Sequence, residues 1–174
     1  MEKKIFSASF EESALAPLYV LLIIIGVLSI LLTYLFPSNT FMMYLMGVWF
    51  GAFGVMKLYS IQDFVKNFSQ YDFIAQKIPT YGYVHPFIEI ILGIVYIFDT
   101  QMKYTTIANI VGIIISGLGI ASAHRVVASR KNIYCACMGT YWKLPMTKVT
   151  IIENTVMLGM ILSMILFPSL MMNM

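Results

Sequence analysis

Long uninterrupted runs of apolar residues dominate the chain, and polar residues are concentrated in the short stretches between them. Five of these runs approach the length of about 20 residues that an α-helix needs to cross the hydrocarbon core of a bilayer. The runs cover residues 17–36, 41–60, 82–98, 105–123 and 149–168. Because the apolar residues are continuous rather than alternating, the runs predict transmembrane helices and not the strands of a barrel.

The first apolar run has the position of a signal peptide but lacks its pattern. Glu11 and Glu12 precede it, the run is too long, and no small-residue cleavage site follows. We therefore predict that residues 1–16 form an N-terminal segment and that residues 17–36 form a retained helix. The remaining four runs would form one membrane domain over residues 41–168.

The segment 61–73 has a different periodicity from the five apolar runs. Apolar residues recur there at helical spacing, and polar residues such as Asp63 and Lys66 occupy the opposite face. This pattern predicts an amphipathic helix at the membrane surface. Such a helix either connects two spans or offers a docking surface for a partner.

Composition agrees with a protein whose solvent is lipid. The chain of 174 residues is 60% hydrophobic and 11% charged, whereas a soluble domain carries about 25% charged residues. No separate polar block indicates a second domain. The formal charge of +3 is small and the basic residues are scattered, so a nucleic-acid surface is not expected.

The distribution of Lys and Arg predicts the orientation in the membrane. Alternate connecting segments contain nine basic residues on one side and one, Lys103, on the other. The positive-inside rule then predicts a cytoplasmic N-terminus and an external C-terminus. The connection between the fourth and fifth runs, residues 124–148, would lie in the cytoplasm.

That connection contains Cys135 and Cys137, the two cysteines of the chain. As thiolates they are soft ligands that favour Cu(I) or Zn, and Met138 adds a thioether. Two cysteines alone do not complete a tetrahedral zinc site, so Cu(I) suits the pair better. A cytoplasmic location would also keep both thiols reduced.

Two alternatives to metal binding remain open for Cys135 and Cys137. A disulfide between residues only two positions apart would close a tight, strained ring, and strained disulfides are easily reduced. The pair would then serve in thiol–disulfide exchange, which fits an oxidising compartment better. The other alternative is that both are small residues at a helix entrance without a chemical role.

Three charged residues lie inside the predicted spans, where a charge is costly and usually pairs or faces a cavity. Connectivity puts Lys57, Glu89 and Glu153 in the same leaflet as the cysteine-containing connection, and His85 lies one turn before Glu89. They form either a structural ion pair or a functional cluster that accepts a proton from a thiol or guides a cation. His85 either ligates a metal or caps a helix entrance.

Common catalytic motifs are absent from the sequence. It contains no P-loop, G-x-G-x-x-G, HExxH or G-x-S-x-G motif. We therefore expect no nucleotide hydrolysis, and any transport would be driven by a gradient or a partner. Thiol–disulfide exchange is the one enzymatic activity that the residues leave open.

Three segments carry a resemblance to the DoxX/MauE-like family of small membrane proteins. The segments are Gly51-x-x-Gly54-x-x-Lys57-Leu58; Tyr81-Gly82-Tyr83-Val84-His85-Pro86-Phe87-Ile88-Glu89; and Cys135-Ala136-Cys137-Met138-Gly139-Thr140 with the following Lys143-Leu144-Pro145-Met146-Thr147-Lys148-Val149-Thr150 and Glu153. The cysteine segment is the most specific of the three. The resemblance implies an all-α bundle of four helices in a bacterial inner membrane, here with one additional N-terminal transmembrane helix.

The resemblance implies two different functions, because the family has two branches. MauE-type proteins are associated with maturation of methylamine dehydrogenase, a periplasmic enzyme, together with a thioredoxin-like partner. Another branch carries this cysteine segment behind a heavy-metal-associated domain, which this chain lacks, so a metal donor would be a separate metallochaperone. Our first hypothesis is therefore handling of a soft ion, Cu(I), by Cys135 and Cys137; the second is a redox accessory protein, and the third a structural membrane subunit.

Overall fold

A computed structural model describes the backbone of residues 2–37, 39–128 and 146–167, and the side chains of residues 18–37, 39–128 and 150–167. The regular elements within these residues are six α-helices. They are α1 (Glu2–Leu35), α2 (Phe41–Tyr59), α3 (Ile61–Phe68), α4 (Thr80–Phe98), α5 (Thr105–Ala128) and α6 (Met146–Leu166). Cys135, Cys137 and Met138 lie outside the described residues, as does most of the connection 124–148.

Four helices are long and apolar enough to cross a membrane. The qualifying segments are Leu18–Leu35, Phe41–Tyr59, Thr80–Phe98 and Thr105–Ala128. The fifth predicted span corresponds to α6, whose described apolar part, Thr150–Leu166, is shorter. The predicted all-α, multi-pass membrane fold is confirmed, and the bilayer is the environment of the exposed apolar side chains.

Helix α1 begins much earlier than the apolar run that predicted it. Residues 2–16 contain Glu, Lys, Ala and Leu and no Gly or Pro, and these residues favour a helix even where they are polar. Within the apolar part, Leu18, Ile25 and Ser29 are buried and most other side chains are exposed. Helix α1 therefore packs against α2 along one narrow face and presents the rest to lipid.

Helices α2 and α4 share the most extensive packing among the described helices, and glycines allow their backbones to approach. A Cβ atom added to Gly93 would lie 2.8 Å from the carbonyl oxygen of Gly47 and 2.9 Å from the nitrogen of Gly51. One turn after Gly51 in α2, a Cβ atom added to Gly54 would lie 3.1 Å from the carbonyl oxygen of Pro86 in α4. Small residues at these positions give the close packing that stabilises helices in lipid.

The short connection between α4 and α5 is organised by Asp99. Its carboxylate accepts hydrogen bonds from the backbone N–H groups of Lys103, Tyr104 and Thr105, and from the Thr105 hydroxyl at 2.9 Å. Slight burial opposes ionisation, but the bonds from Thr105 and from the three backbone groups outweigh it and lower the pKa of Asp99. The ionised carboxylate thus fixes the start of α5.

Helix α3 is shorter than the predicted amphipathic helix 61–73 because Asp72 starts a new turn. The Asp72 Oδ1 atom accepts hydrogen bonds of 2.9 Å from the backbone N–H groups of Ile74 and Ala75. An aspartate that bonds to the backbone two and three residues ahead competes with continuation of a helix. Helix α3 ends at Phe68, and the Asp72 turn lies between it and the start of α4 at Thr80.

Candidate functional site

Three charged side chains from three different helices meet in the interior of the bundle. The Nζ atom of Lys57 in α2 lies 2.5 Å from Oε1 of Glu89 in α4 and 2.7 Å from Oε1 of Glu153 in α6. At most 5% of each of these side chains is exposed. The lysine donates a hydrogen bond to each carboxylate and so links three helices. We call these three residues the ion cluster.

The positions of these residues along their helices explain why they meet. Lys57 lies in the last turn of α2, whereas Glu89 lies about 14 Å into α4, at 1.5 Å per residue from Thr80. Glu153 lies about two turns after the start of α6. The sequence put all three in one leaflet, and packing turns their faces toward each other. The positive charge at the C-terminal end of α2 also suits the helix dipole.

The burial of the ion cluster makes its internal pairing energetically decisive. Moving a single ion out of water costs several kcal/mol even after relaxation, and removing one partner of a buried pair costs about 3–5 kcal/mol. Ionised side chains at membrane depth therefore pair with each other or line a cavity. Lys57 does the first with Glu89 and Glu153, so the ion cluster connects α2, α4 and α6.

His85 lies one turn before Glu89, with its Nδ1 atom 3.7 Å from Glu89 Oε1. That distance is too long for a hydrogen bond, and Nδ1 has no hydrogen-bond partner among the described residues. The Oε2 atom of Glu89 is likewise buried and unpaired among them. An unpaired imidazole nitrogen and an unpaired carboxyl oxygen therefore lie on adjacent turns of α4.

Aromatic rings from α3 and α4 cover the ion cluster. Phe64 and Phe68 stack on each other at 4.9 Å, and the ring of His85 lies 4.9 Å from that of Phe68 and 5.6 Å from that of Tyr81. The Nζ atom of Lys57 lies 5.8 Å from the centre of the Phe64 ring, within cation–π range. The apolar face of α3 thus packs inward and shields the charges from bulk water.

A chamber of about 20 Å³ lies beside the ion cluster. That volume has room for one water molecule, which needs about 10–15 Å³. Its polar wall includes Asp72, His85, Thr150, Glu153 and Asn154. The hydroxyl oxygen of Thr150 is buried and has no partner among the described residues. The chamber therefore offers unsatisfied polar atoms to a small polar guest.

Several residues of this site were not identified from the sequence. Asn154 donates to the Thr150 carbonyl oxygen at 2.8 Å, and Ser122 of α5 lies 3.5 Å from Asp72 Oδ2. One signal was available, since Thr150, Glu153 and Asn154 have i, i+3 and i+4 spacing on an apolar helix and so share a face. Asp72 and Ser122 gave no such signal, because their meeting depends on the tertiary fold.

The predicted metal-ligating residues fall into two groups in this structure. Cys135, Cys137 and Met138 lie outside the described residues, whereas His85 is buried among the aromatic rings. Within the described side chains, no group of three or more His, Cys, Asp or Glu residues is arranged to hold a metal ion. The end of α5 and the start of α6, between which the cysteines lie in sequence, belong to the same end of the bundle as Ser122, Asp72 and Thr150.

These features define a polytopic helical membrane protein with a charged cluster buried at one end of its bundle. Comparison with protein families gives a match to the family described as methylamine utilisation protein MauE, over residues 37–167. The chain belongs to this family, which confirms the resemblance drawn from the sequence motifs. The matched region begins after α1 and extends through α6. Comparisons with curated proteins and with solved structures gave no match.

Proposed function

We propose that this protein is a membrane accessory protein that performs thiol–disulfide exchange through Cys135 and Cys137. The observation that carries the proposal is membership of the MauE family over residues 37–167. The two cysteines are the only ones in the chain and lie between α5 and α6. The exchange partner would be a thioredoxin-like protein, and the exchange would assist maturation of a periplasmic enzyme.

The proposed reaction moves two electrons between the cysteine pair and the partner. The thiolate of one cysteine attacks the partner's disulfide, which forms a mixed disulfide and releases one partner thiolate. The second cysteine then attacks the mixed disulfide, so that a Cys135–Cys137 disulfide forms and the partner becomes a dithiol. The two thiol protons lost by the pair end on the partner's sulfur atoms. In the opposite direction the same steps oxidise the partner.

The ion cluster supports this proposal through its position in the fold. Glu153 joins α6 to α2 and α4 about two turns after the segment that contains the cysteines. A buried, hydrogen-bonded network of this kind fixes the helix from which that segment departs. It would therefore hold in place α6, the helix that follows the cysteine segment along the chain.

A second function, binding of a soft metal ion, is favoured by the charge distribution. The excess of Lys and Arg supports a cytoplasmic N-terminus and a cytoplasmic, reducing environment for the cysteines, while family membership supports an inner-membrane location. Cys135 and Cys137 would then hold Cu(I), with Met138 and His85 as further candidate ligands. A soluble metallochaperone would supply the ion.

Trapping and titration distinguish the two functions. The single variants Cys135→Ser and Cys137→Ser each retain one thiol, so exchange predicts a stable mixed disulfide between one of them and a thioredoxin-like partner. The double variant is the matched control and should trap nothing. Cu(I) binding predicts instead a tight complex in reducing buffer that is lost in Cys135→Ser. Failure of both assays would overturn both functions and leave a structural membrane subunit.

Thiol labelling of intact cells tests the compartment independently of the chemistry. Exchange that serves a periplasmic enzyme requires Cys135 and Cys137 on the outer face, where an impermeant thiol reagent would label them promptly. Labelling only after the membrane is permeabilised would support the orientation given by the charges and would favour Cu(I) binding. A variant lacking both cysteines gives the background in either case.

A further inference from the structure

Helices α4 and α5 leave an apolar groove between them. Its volume is about 320 Å³, which lies within the range of small-molecule sites in proteins. Leu92 and Ala108 line it and are 5% and 3% exposed, so they form its bottom. Ile91 and Ile107 also line it and are more than half exposed, so the groove opens toward lipid. Because the side chain of Ala108 is a single methyl group, the two helices do not fill this space themselves.

The groove has the depth of one leaflet of a bilayer. Tyr104 marks its outer end, directly before the start of α5. Ile88 marks its inner end and lies about 15 Å before Phe98, the last residue of α4, at 1.5 Å per residue. Half of a hydrocarbon core of about 30 Å has the same length. An acyl chain occupies one leaflet, whereas a transmembrane helix of a partner runs through both, so the depth of the groove favours an acyl chain.

A cation and a tyrosine lie at the outer end of the groove. The Nζ atom of the exposed Lys103 lies 5.2 Å from the centre of the Tyr104 ring, which lines the groove. Lys103 forms no ion pair among the described side chains. The carboxylate of Asp99 is close by, but it accepts hydrogen bonds from the backbone at the start of α5. Tyrosine and lysine at the end of a span are residues that meet lipid headgroups, and an ammonium group attracts a phosphate.

We propose that this groove binds one anionic phospholipid, with an acyl chain between α4 and α5 and the headgroup phosphate at Lys103. Two independent observations carry the proposal: the single-leaflet depth of an apolar groove, and a cation without an ion-pair partner at the end where the headgroup lies. The proposal does not depend on the cysteines or on the ion cluster. The lipid fills the space that α4 and α5 leave open, and its binding stabilises the folded bundle.

Native mass spectrometry of the purified protein tests the headgroup with two lipids that have identical acyl chains, phosphatidylglycerol and phosphatidylcholine. The wild-type protein, given both at equal concentration in detergent, should retain one phosphatidylglycerol in preference to phosphatidylcholine. In Lys103→Gln the affinity for phosphatidylglycerol should fall about fivefold, the factor that one lysine near a membrane surface contributes. Lys66→Gln removes an exposed lysine of α3, at the other end of the bundle, and should keep the wild-type preference.

Filling the groove tests the acyl chain separately from the headgroup. Ala108→Leu places a branched side chain where the acyl chain would lie, so retention of both lipids should be lost. Val95→Phe fills the same groove from α4 and decides the question if Ala108→Leu does not fold. Ile114→Phe is the control, since it adds bulk at an exposed position of α5 that does not line the groove, and it should bind lipid like the wild type.

Three results would overturn the proposal. The first is equal retention of the two lipids by the wild-type protein, which would remove the role of Lys103. The second is wild-type retention in the groove-filling variants that fold, which would put the lipid elsewhere. The third is a dimer without lipid that is lost in those variants, which would assign the groove to a second copy of the chain.

Discussion

Replacement of Lys57 by methionine tests whether the ion cluster holds the helices together. Methionine keeps the length and apolar part of the side chain but removes the ammonium group. Two carboxylates, each about 2% exposed, then lose the cation that both of them contact. The variant therefore isolates the contribution of charge pairing from that of packing.

The expected magnitude follows from the geometry of the pair of contacts. Removing one partner of a buried ion pair costs about 3–5 kcal/mol, chiefly because the other charge stays buried and uncompensated. Here both buried carboxyl groups lose the partner that they share, so we expect a loss within that range. Exchanging a whole buried ion set for well-packed apolar groups of similar volume is far less costly. The triple variant Lys57→Met, Glu89→Met, Glu153→Met should therefore recover most of the loss.

Reversible unfolding of the protein in mixed detergent micelles, followed by tryptophan fluorescence, measures these free energies. Trp49 is buried in the core, so its emission reports loss of packing. A Lys57→Met variant that unfolds within about 1 kcal/mol of the wild type would refute the reasoning, since surface ion pairs are worth that little. So would a triple variant as unstable as the single one, because its loss would then come from packing.

Three further perturbations test other parts of the fold. Gly93→Ala should destabilise the protein by about 1–3 kcal/mol because the added methyl group overpacks against α2. Gly51→Ala is the control and should be tolerated, because its Cβ atom meets nothing within 4 Å. Equal stabilities of the two variants would contradict the close approach of α2 and α4. Tyr96→Phe should cost about 1–3 kcal/mol in the same assay, because it leaves a buried oxygen of Asn109 without the 2.8 Å hydrogen bond that it accepts from the Tyr96 hydroxyl. An unchanged stability would mean that water replaces the hydroxyl. Asp99→Asn should lower thermal stability at neutral pH. The pKa of Asp99 is lower in the folded than in the unfolded state, so its ionised carboxylate stabilises the fold above the unfolded pKa of about 4. This stabilisation is lost as the pH falls through the pKa of the folded state. A stability difference between Asp99→Asn and the wild type that persists in acid would contradict this.

The apolar pattern predicted the helices better than it predicted their ends. Four of the five predicted spans match their helices within a few residues at the start, because a long apolar run has no alternative structure in lipid. Helix α1 was the exception, since its first part is polar and was assigned to no element. The amphipathic segment 61–73 was also cut short, because the Asp72 side chain competes for backbone N–H groups.

The candidate site was predictable in its members and not in its geometry. Lys57, Glu89 and Glu153 stood out because a charge inside an apolar run is rare, and connectivity alone put them in one leaflet. His85 was noted as a candidate ligand, but the sequence gave no sign that aromatic rings surround it. Thr150 and Asn154 carried a usable signal, their shared face with Glu153, whereas Asp72 and Ser122 carried none.

The sequence by itself determined that this protein is a helical membrane protein, where along the chain its apolar helices lie, and which charged residues fall inside them. Those properties depend on hydropathy and on the order of elements, which are readable along a single chain. Only the tertiary structure decided that one lysine serves two glutamates 32 and 96 positions away, and that a chamber remains beside them. These outcomes depend on how each helix is rotated about its axis. The rotation is set by contacts between distant segments, such as Gly47 against Gly93, and no local pattern encodes it.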